Sequence, residues 1–157
     1  MVKSSKILIC INNPVSAENA IEYACLMANK YDNVVELLTI IDNEIDSYQG
    51  LFAVGKKLSN DKRKNAEEWL STLCDKIYKQ YNLNPVVNIK EGSVSEEIEQ
   101  TIKNDNNIKM LVLPSSNEST SNGKLIPHIT EKILDISHIP ISIIPSTLTK
   151  TQIKDLL

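Results

Sequence analysis

Two short apolar runs near the end of the chain constrain the fold more than any other feature. They are residues 110–113 (MLVL) and 139–144 (IPISII). Runs this short and this rich in branched aliphatic residues are typical of strands that are buried on both faces of a sheet. A polar loop and a helical pattern lie between them. The sequence therefore predicts a βαβ unit whose two strands are parallel neighbours.

The same alternation extends over the rest of the chain. Further strands are predicted over three apolar runs, at residues 7–11, 34–41 and 86–90. Helices are predicted where apolar residues recur at helical spacing, at about residues 16–31, 61–81, 94–104 and 125–137. This order predicts an α/β chain with a five-stranded parallel sheet that helices cover on both faces.

The remaining stretches show no clear strand or helix periodicity. Residues 42–60 are polar and then apolar, and we expect an irregular or partly helical excursion there. We expect one domain over residues 1–147 and a short tail over 148–157, which either docks or frays. Ser93 and Glu96 predict a capping box at the start of the third helix.

Charge and composition argue against several classes of function. The net charge is −3 and both signs are spread along the chain, so we expect no nucleic-acid partner. No apolar segment approaches the ~20 residues of a membrane span. The first residues show no cleavable signal pattern, so we expect a cytoplasmic protein.

The three cysteines, Cys10, Cys25 and Cys74, each fall within an apolar pattern. Buried free thiols are the simplest interpretation. No Cys-x-x-Cys pair or Cys/His cluster is present, so we expect no metal site.

Two loops are candidates for ligand binding. Residues 115–124 follow the carboxyl end of a strand, the edge at which open α/β sheets bind ligands, and they are rich in hydroxyl and amide groups. Residues 50–57 nearly match a P-loop, but the final hydroxyl is replaced by Lys57 and no strand directly precedes them. We expect a mobile loop with a small apolar patch there.

Three stretches of the chain resemble the universal stress protein family over residues 5–145. ILICINNPVSAENAIEYACLMA is similar to the family's first strand, turn and alanine-rich helix, and VVNIKEGSVSEEIEQTI to a strand, glycine and acidic capped helix. KMLVLPSSN…HITEKILDISHIPISIIP is similar to its last strand, loop, helix and strand. The resemblance implies a Rossmann-like fold with strand order 3-2-1-4-5, and homodimers.

Many members of that family bind ATP through the signature Gly-x2-Gly-x9-Gly-[Ser/Thr], whose glycines let the backbone approach the phosphates. At the matching positions this sequence has Pro114, Asn117, Pro127 and His128. Proline has no N–H to donate and its φ is restricted. The family's aspartate after the first strand is Asn12 here. The chain therefore resembles a branch of the family that lacks the ATP signature.

These features together predict a non-catalytic stress-response protein that acts through other proteins and holds no cofactor. The alternative is a regulatory switch that binds ATP or AMP. In that case the nucleotide is expected to contact six residues at the ligand edge, namely Asn12, Asn13, Ile41, Ser115, Asn117 and His128. An enzyme that uses the 115–124 loop on a small anionic substrate ranks last, because no set of acid, base and nucleophile is recognisable.

The last strand is expected at an edge of the sheet in the order that the resemblance implies. Its residues Ile141, Ile143 and Ile144 carry no charge that would prevent pairing with another strand. Pairing with the same strand of a second copy would produce a two-fold dimer. We therefore expect a homodimer through this strand.

Overall fold

The chain is built around a parallel sheet, which we describe from a computed structural model. The structure describes residues 4–42, 52–115, 125–128, 131 and 138–157. The five strands are β1 (Lys6–Cys10), β2 (Val34–Ile41), β3 (Val86–Glu91), β4 (Ile108–Pro114) and β5 (Ile141–Ile144). They pair in parallel in the order β3-β2-β1-β4-β5. The predicted α/β fold and its strand order are confirmed.

Helices connect the strands as the alternation predicts. They are α1 (Glu18–Tyr31), α2 (Phe52–Tyr81), α3 (Val94–Asn104), α4 (Leu125–His128) and, after the last strand, α5 (Lys150–Asp155). The predicted continuation of α4 to residue 137 lies mostly outside the described residues.

Helix α2 begins at Phe52, nine residues before the predicted start at residue 61. The loop predicted over residues 50–57 is therefore wrong from Phe52 onward, and the two residues before it lie outside the described residues. Once a helix is nucleated, each added residue contributes one backbone hydrogen bond. Residues without an apolar pattern can therefore extend it, which the periodicity of the sequence does not reveal.

The sheet separates two apolar cores because alternate side chains of each strand point to opposite faces. Ile7, Ile9 and Ile11 pack into one core with residues of α1 and α2. Leu8 and Cys10, from the same strand, pack into the other core with residues of α3. Helices therefore cover both faces, as predicted.

All three cysteines are free thiols. Cys10 and Cys25 are buried and Cys74 is partly buried, which agrees with the prediction of buried free thiols. Burial raises the pKa of the Cys10 thiol to about 12, and burial with the nearby Glu22 carboxylate raises that of Cys25 to about 12. Both thiols stay protonated at neutral pH, so they are poor nucleophiles.

The capping box predicted at Ser93 is wrong. The Ser93 side chain makes no hydrogen bond to the backbone of α3, and its hydroxyl lies 3.4 Å from that of Ser95. A serine hydroxyl rotates freely between partners, so a neighbouring hydroxyl competes with the backbone N–H.

The tail, residues 148–157, docks rather than frays, and it contains a capping box at the start of α5. The Thr149 hydroxyl accepts from the Gln152 N–H at 3.2 Å, and the Gln152 side chain accepts from the Thr149 N–H at 2.9 Å. Ile153 of α5 is completely buried. The Lys30 ammonium on α1 donates to the Leu157 carbonyl. Helix α5 therefore packs against α1.

Candidate functional site

The candidate site is the carboxyl edge of the sheet, where the connections from β1 and β4 leave in opposite directions. Such a switch point leaves a crevice between the two strand ends, in which ligands of α/β proteins bind. The structure places four of the six predicted site residues at this edge. Asn12 and Asn13 follow β1, Ile41 ends β2, and Ser115 follows β4.

The other two predicted residues are less fully described. Asn117 lies outside the described residues. His128 ends the short helix α4, and only its backbone is described. The described residues therefore do not test whether these two side chains belong to the site.

A buried hydroxyl fixes the end of β1. The Thr39 hydroxyl donates to the Ile11 carbonyl at 2.8 Å, and the Ile11 N–H donates to the Leu38 carbonyl at the same distance. These bonds hold the backbone before Asn12 against β2, while Asn12 itself is exposed. Sequence reasoning missed Thr39. Its signal is a single hydroxyl among apolar residues of a strand that is buried on both faces.

Asn13 closes the turn that leads into α1. Its Oδ1 accepts the N–H of Val15 at 2.9 Å, which makes an Asx turn around Pro14. Its carbonyl accepts the Ala17 N–H and the Ser16 hydroxyl. Asn13 therefore organises the turn before α1. The acceptor oxygen of its amide is used within the loop itself.

The hydroxyl of Ser115 is also used inside the protein. The Ser115 N–H donates to the Ile144 carbonyl at 3.0 Å, and its hydroxyl oxygen accepts the Ser146 N–H at 3.0 Å. The Ser146 carbonyl in turn accepts the side-chain amide of Asn19 on α1 at 2.7 Å. Ser115 thus ties the end of β4 to the residue after β5 and, through it, to α1.

The β2 side of the edge is closed by a tight turn. Ile41 is buried, and its carbonyl accepts the Gly92 N–H at 3.0 Å. Gly92 has φ of +141°, and a Cβ added there would lie 3.0 Å from the Glu97 carboxylate. A residue other than glycine would be strained at this position. Ile41 can therefore offer a ligand only an apolar wall.

Arg63 is a cation beside this turn, and it is already paired. Its guanidinium lies 3.3 Å from the Glu91 carboxylate and donates to the Ile89 carbonyl at 3.4 Å. Within the described ranges, no three His, Cys, Asp or Glu side chains are grouped to hold a metal ion. Nor is any described helix long and apolar enough to cross a membrane.

The described edge thus provides apolar walls and polar groups that are largely engaged with one another. A model of the universal stress protein family matches residues 3–145. The chain belongs to the universal stress protein family. The resemblance that the sequence shows is thereby confirmed.

Solved structures of the same family share the fold. A universal stress protein UspA from Lactobacillus plantarum superposes with a TM-score of 0.75 at 17% identity, covering 92% of this chain and 99% of that one. A member from Burkholderia pseudomallei has a TM-score of 0.63 at 15% identity, covering 90% and 96%. A universal stress protein in complex with cAMP has a TM-score of 0.53 at 12% identity, covering 93% and 100%. No protein with a curated description matches the sequence.

Proposed function

We propose that this universal stress protein is a non-catalytic, dimeric stress-response protein that acts through protein contacts and has a degenerate ATP site. The observation that carries the proposal is the internal use of polar groups at the switch point. The Asn13 amide oxygen and the Ser115 hydroxyl oxygen each accept a backbone N–H of this chain, and the Thr39 hydroxyl donates to a backbone carbonyl. A nucleotide would have to replace those bonds to use the two accepting oxygens or the Thr39 hydroxyl donor.

The positions of the lost glycines support the same conclusion. Pro114 is the last residue of β4 and pairs with Ile144, and Pro127 lies in α4. Neither residue has an N–H to donate to a phosphate oxygen. Backbone N–H groups are the main anion ligands of glycine-rich phosphate loops. Phosphate binding here would have to rely on other donors.

Strand β5 supports the dimer. It pairs with β4 on one side and ends the sheet of described strands on the other. Ile143 is 37% exposed, whereas Ile144 is only 6% exposed and packs into the core of its own chain. The proposed contact between two copies is therefore made by the backbone edge of β5 with Ile143, and Ile141 lies on the same face of the strand.

A reducing compartment fits this proposal. All three cysteines are free thiols, and Cys10 and Cys25 are buried in the core. Cytosolic proteins keep such thiols reduced. The proposed site of action is therefore the cytoplasm.

The second candidate is a nucleotide-binding switch. It is favoured by the fold that the chain shares with the universal stress protein in complex with cAMP. Asn12 is exposed at the crevice, where it could face a ribose or a base. In this second candidate function, the nucleotide binds without the glycine signature that many family members use.

A titration of nucleotide-stripped protein with ATP and Mg²⁺, and separately with ADP, AMP and cAMP, distinguishes the two candidates. The matched variant restores the family signature with Pro114→Gly, Asn117→Gly, Pro127→Gly and His128→Ser. We expect no saturable binding to the natural sequence and a gain of ATP binding in the restored variant. Saturable micromolar binding to the natural sequence would make the switch the better description. Release of phosphate from ATP would contradict the non-catalytic assignment.

Sedimentation velocity tests the dimer. Ile143→Lys places a charge on the proposed contact and is expected to yield a monomer, because burying an unpaired ammonium is costly. Val86→Lys is the matched control, because Val86 is 41% exposed on β3 at the opposite edge of the sheet. A natural chain that sediments as a monomer, or an Ile143→Lys variant that stays dimeric, would refute this interface.

A further inference from the structure

The free edge of β3 lies on the opposite side of the sheet from β5, and among the described strands β3 pairs with β2 alone. In an extended strand the backbone N–H and C=O groups of successive residues point alternately to the two sides. The Gly92 N–H bonds to the Ile41 carbonyl and so points toward β2. Counting back from Gly92, the residues whose polar groups point away from β2 are Val87, Ile89 and Glu91. These three form the free edge.

Apolar side chains are exposed at the beginning of this edge. Val86 is 41% exposed and Val87 is 42% exposed. The two residues are adjacent in a strand, so their side chains point to opposite faces of the sheet. Helices therefore leave both faces partly uncovered at this point. A free edge with exposed β-branched residues is the kind of surface at which strands of separate molecules pair.

Arg63 on α2 occupies the other end of the same edge. Its guanidinium donates to the outward carbonyl of Ile89 at 3.4 Å and lies 3.3 Å from the Glu91 carboxylate. The Glu67 carboxylate, one helical turn further along α2, lies 3.9 Å from the Nε atom of Arg63. These contacts hold a charged group on the backbone acceptor that an added strand would need.

Among the described residues, the edge of β5 has no such charge. Proline precedes both edge strands, Pro85 before β3 and Pro140 before β5, so proline does not distinguish the two edges. β5 itself consists of isoleucine and serine, and no described charged side chain donates to one of its backbone carbonyls. Charged side chains on an edge strand are a device by which natural proteins prevent sheets from pairing. The two edges therefore differ through Arg63.

We propose that Arg63 prevents β3 from pairing with β3 of a second copy, and thereby leaves β5 as the edge through which this protein self-associates. The strand that Arg63 excludes is that of a second copy, because a two-fold axis near Val87 brings the exposed valines of both copies together. The part of the inference that concerns β5 rests on the proposed dimer. The effect of Arg63 on β3 does not depend on it.

The test is sedimentation velocity over a concentration series, with Arg63→Ala introduced into the Ile143→Lys variant. In that variant the proposed β5 contact is disrupted, so any gain in association arises elsewhere. We expect Arg63→Ala to strengthen self-association at least about tenfold over the Ile143→Lys parent and to yield dimers. If the parent is itself a dimer, the β5 interface is refuted, and the shift caused by Arg63→Ala still tests the role of Arg63.

Lys64→Ala in the same background is the matched control, because Lys64 is the neighbouring residue of α2 and is exposed. It should leave sedimentation unchanged. Adding Val87→Lys to Arg63→Ala should restore the monomer, since pairing would bring like charges together across the two strands.

Thermal melting establishes that each variant is folded. The Arg63 and Glu91 side chains are 41% and 36% exposed, so loss of their ion pair should change stability little. A merely structural role of Arg63 would lower the melting temperature without changing the sedimenting species. A folded Arg63→Ala variant that sediments like Lys64→Ala at every concentration, or association that persists with Val87→Lys, would overturn the inference.

Discussion

Replacing Lys6 with methionine would remove the cation that neutralises a buried carboxylate at the amino edge of the sheet. The Lys6 ammonium lies 3.2 Å from a carboxylate oxygen of Glu36 and 2.8 Å from one of Asp105. The Glu36 side chain is only 6% exposed. Methionine preserves most of the apolar stem of lysine, so the change isolates the loss of charge.

The expected cost follows from the burial of Glu36. Removing one partner of a fully buried ion pair costs about 3–5 kcal/mol, because the other charge stays buried without compensation. The Lys6 side chain is 24% exposed, so water can partly replace the ammonium. We therefore expect a loss of about 2–4 kcal/mol in the free energy of unfolding, measured by urea denaturation with linear extrapolation.

Two further variants make this result decisive. Lys103→Met is the matched control, because Lys103 lies 2.8 Å from Glu99 but on the surface of α3. It should cost no more than about 0.5 kcal/mol. The double change Lys6→Met with Glu36→Gln should recover at least half of the loss, since the more deeply buried of the two carboxylates is then neutral. A Lys6→Met variant as stable as Lys103→Met, or a double variant less stable than Lys6→Met, would refute the reasoning.

Three other outcomes are expected. The Lys6 hydrogen bond lowers the pKa of Asp105, so Asp105 stabilises the fold above its unfolded pKa and loses that effect as pH falls through the folded pKa. Asp105→Asn should therefore lower stability by about 1–2 kcal/mol in urea denaturation at pH 7, with the difference from the natural chain disappearing in acid. Gly92→Ala should cost about 1–3 kcal/mol, seen as a lower melting temperature, because φ there is +141°. Ile153→Ala should cost about 2–4 kcal/mol in urea denaturation, since that side chain anchors α5; a cost near zero would mean that α5 is not docked in solution.

Local sequence patterns predicted the elements whose signals are continuous. The bounds predicted for β2 and α3 agree with the structure, because an apolar run and a clear 3.6-residue period each extend to the ends of the element. The start of α2 at Phe52 lies within residues 42–60, where an irregular or partly helical excursion was predicted, and its exact position was not found because no apolar period marks the first turns. A capping box was predicted at Ser93, at the start of α3, but the structure has one at Thr149, at the start of α5. The partner of a hydroxyl depends on which groups the folded backbone places near it.

The amino-acid sequence alone was enough to predict the fold class, through short buried strands that alternate with helices. The loss of the ATP signature, read from Pro114 and Pro127, stays a prediction. Which polar groups already have partners became visible only in the folded chain. Ser115 bonds a residue 31 positions away, and Asn19 bonds one 127 positions away. Such partners meet only because the strand order brings the ends of β4 and β5 beside α1, and hydrogen bonds act over about 3 Å regardless of separation in sequence.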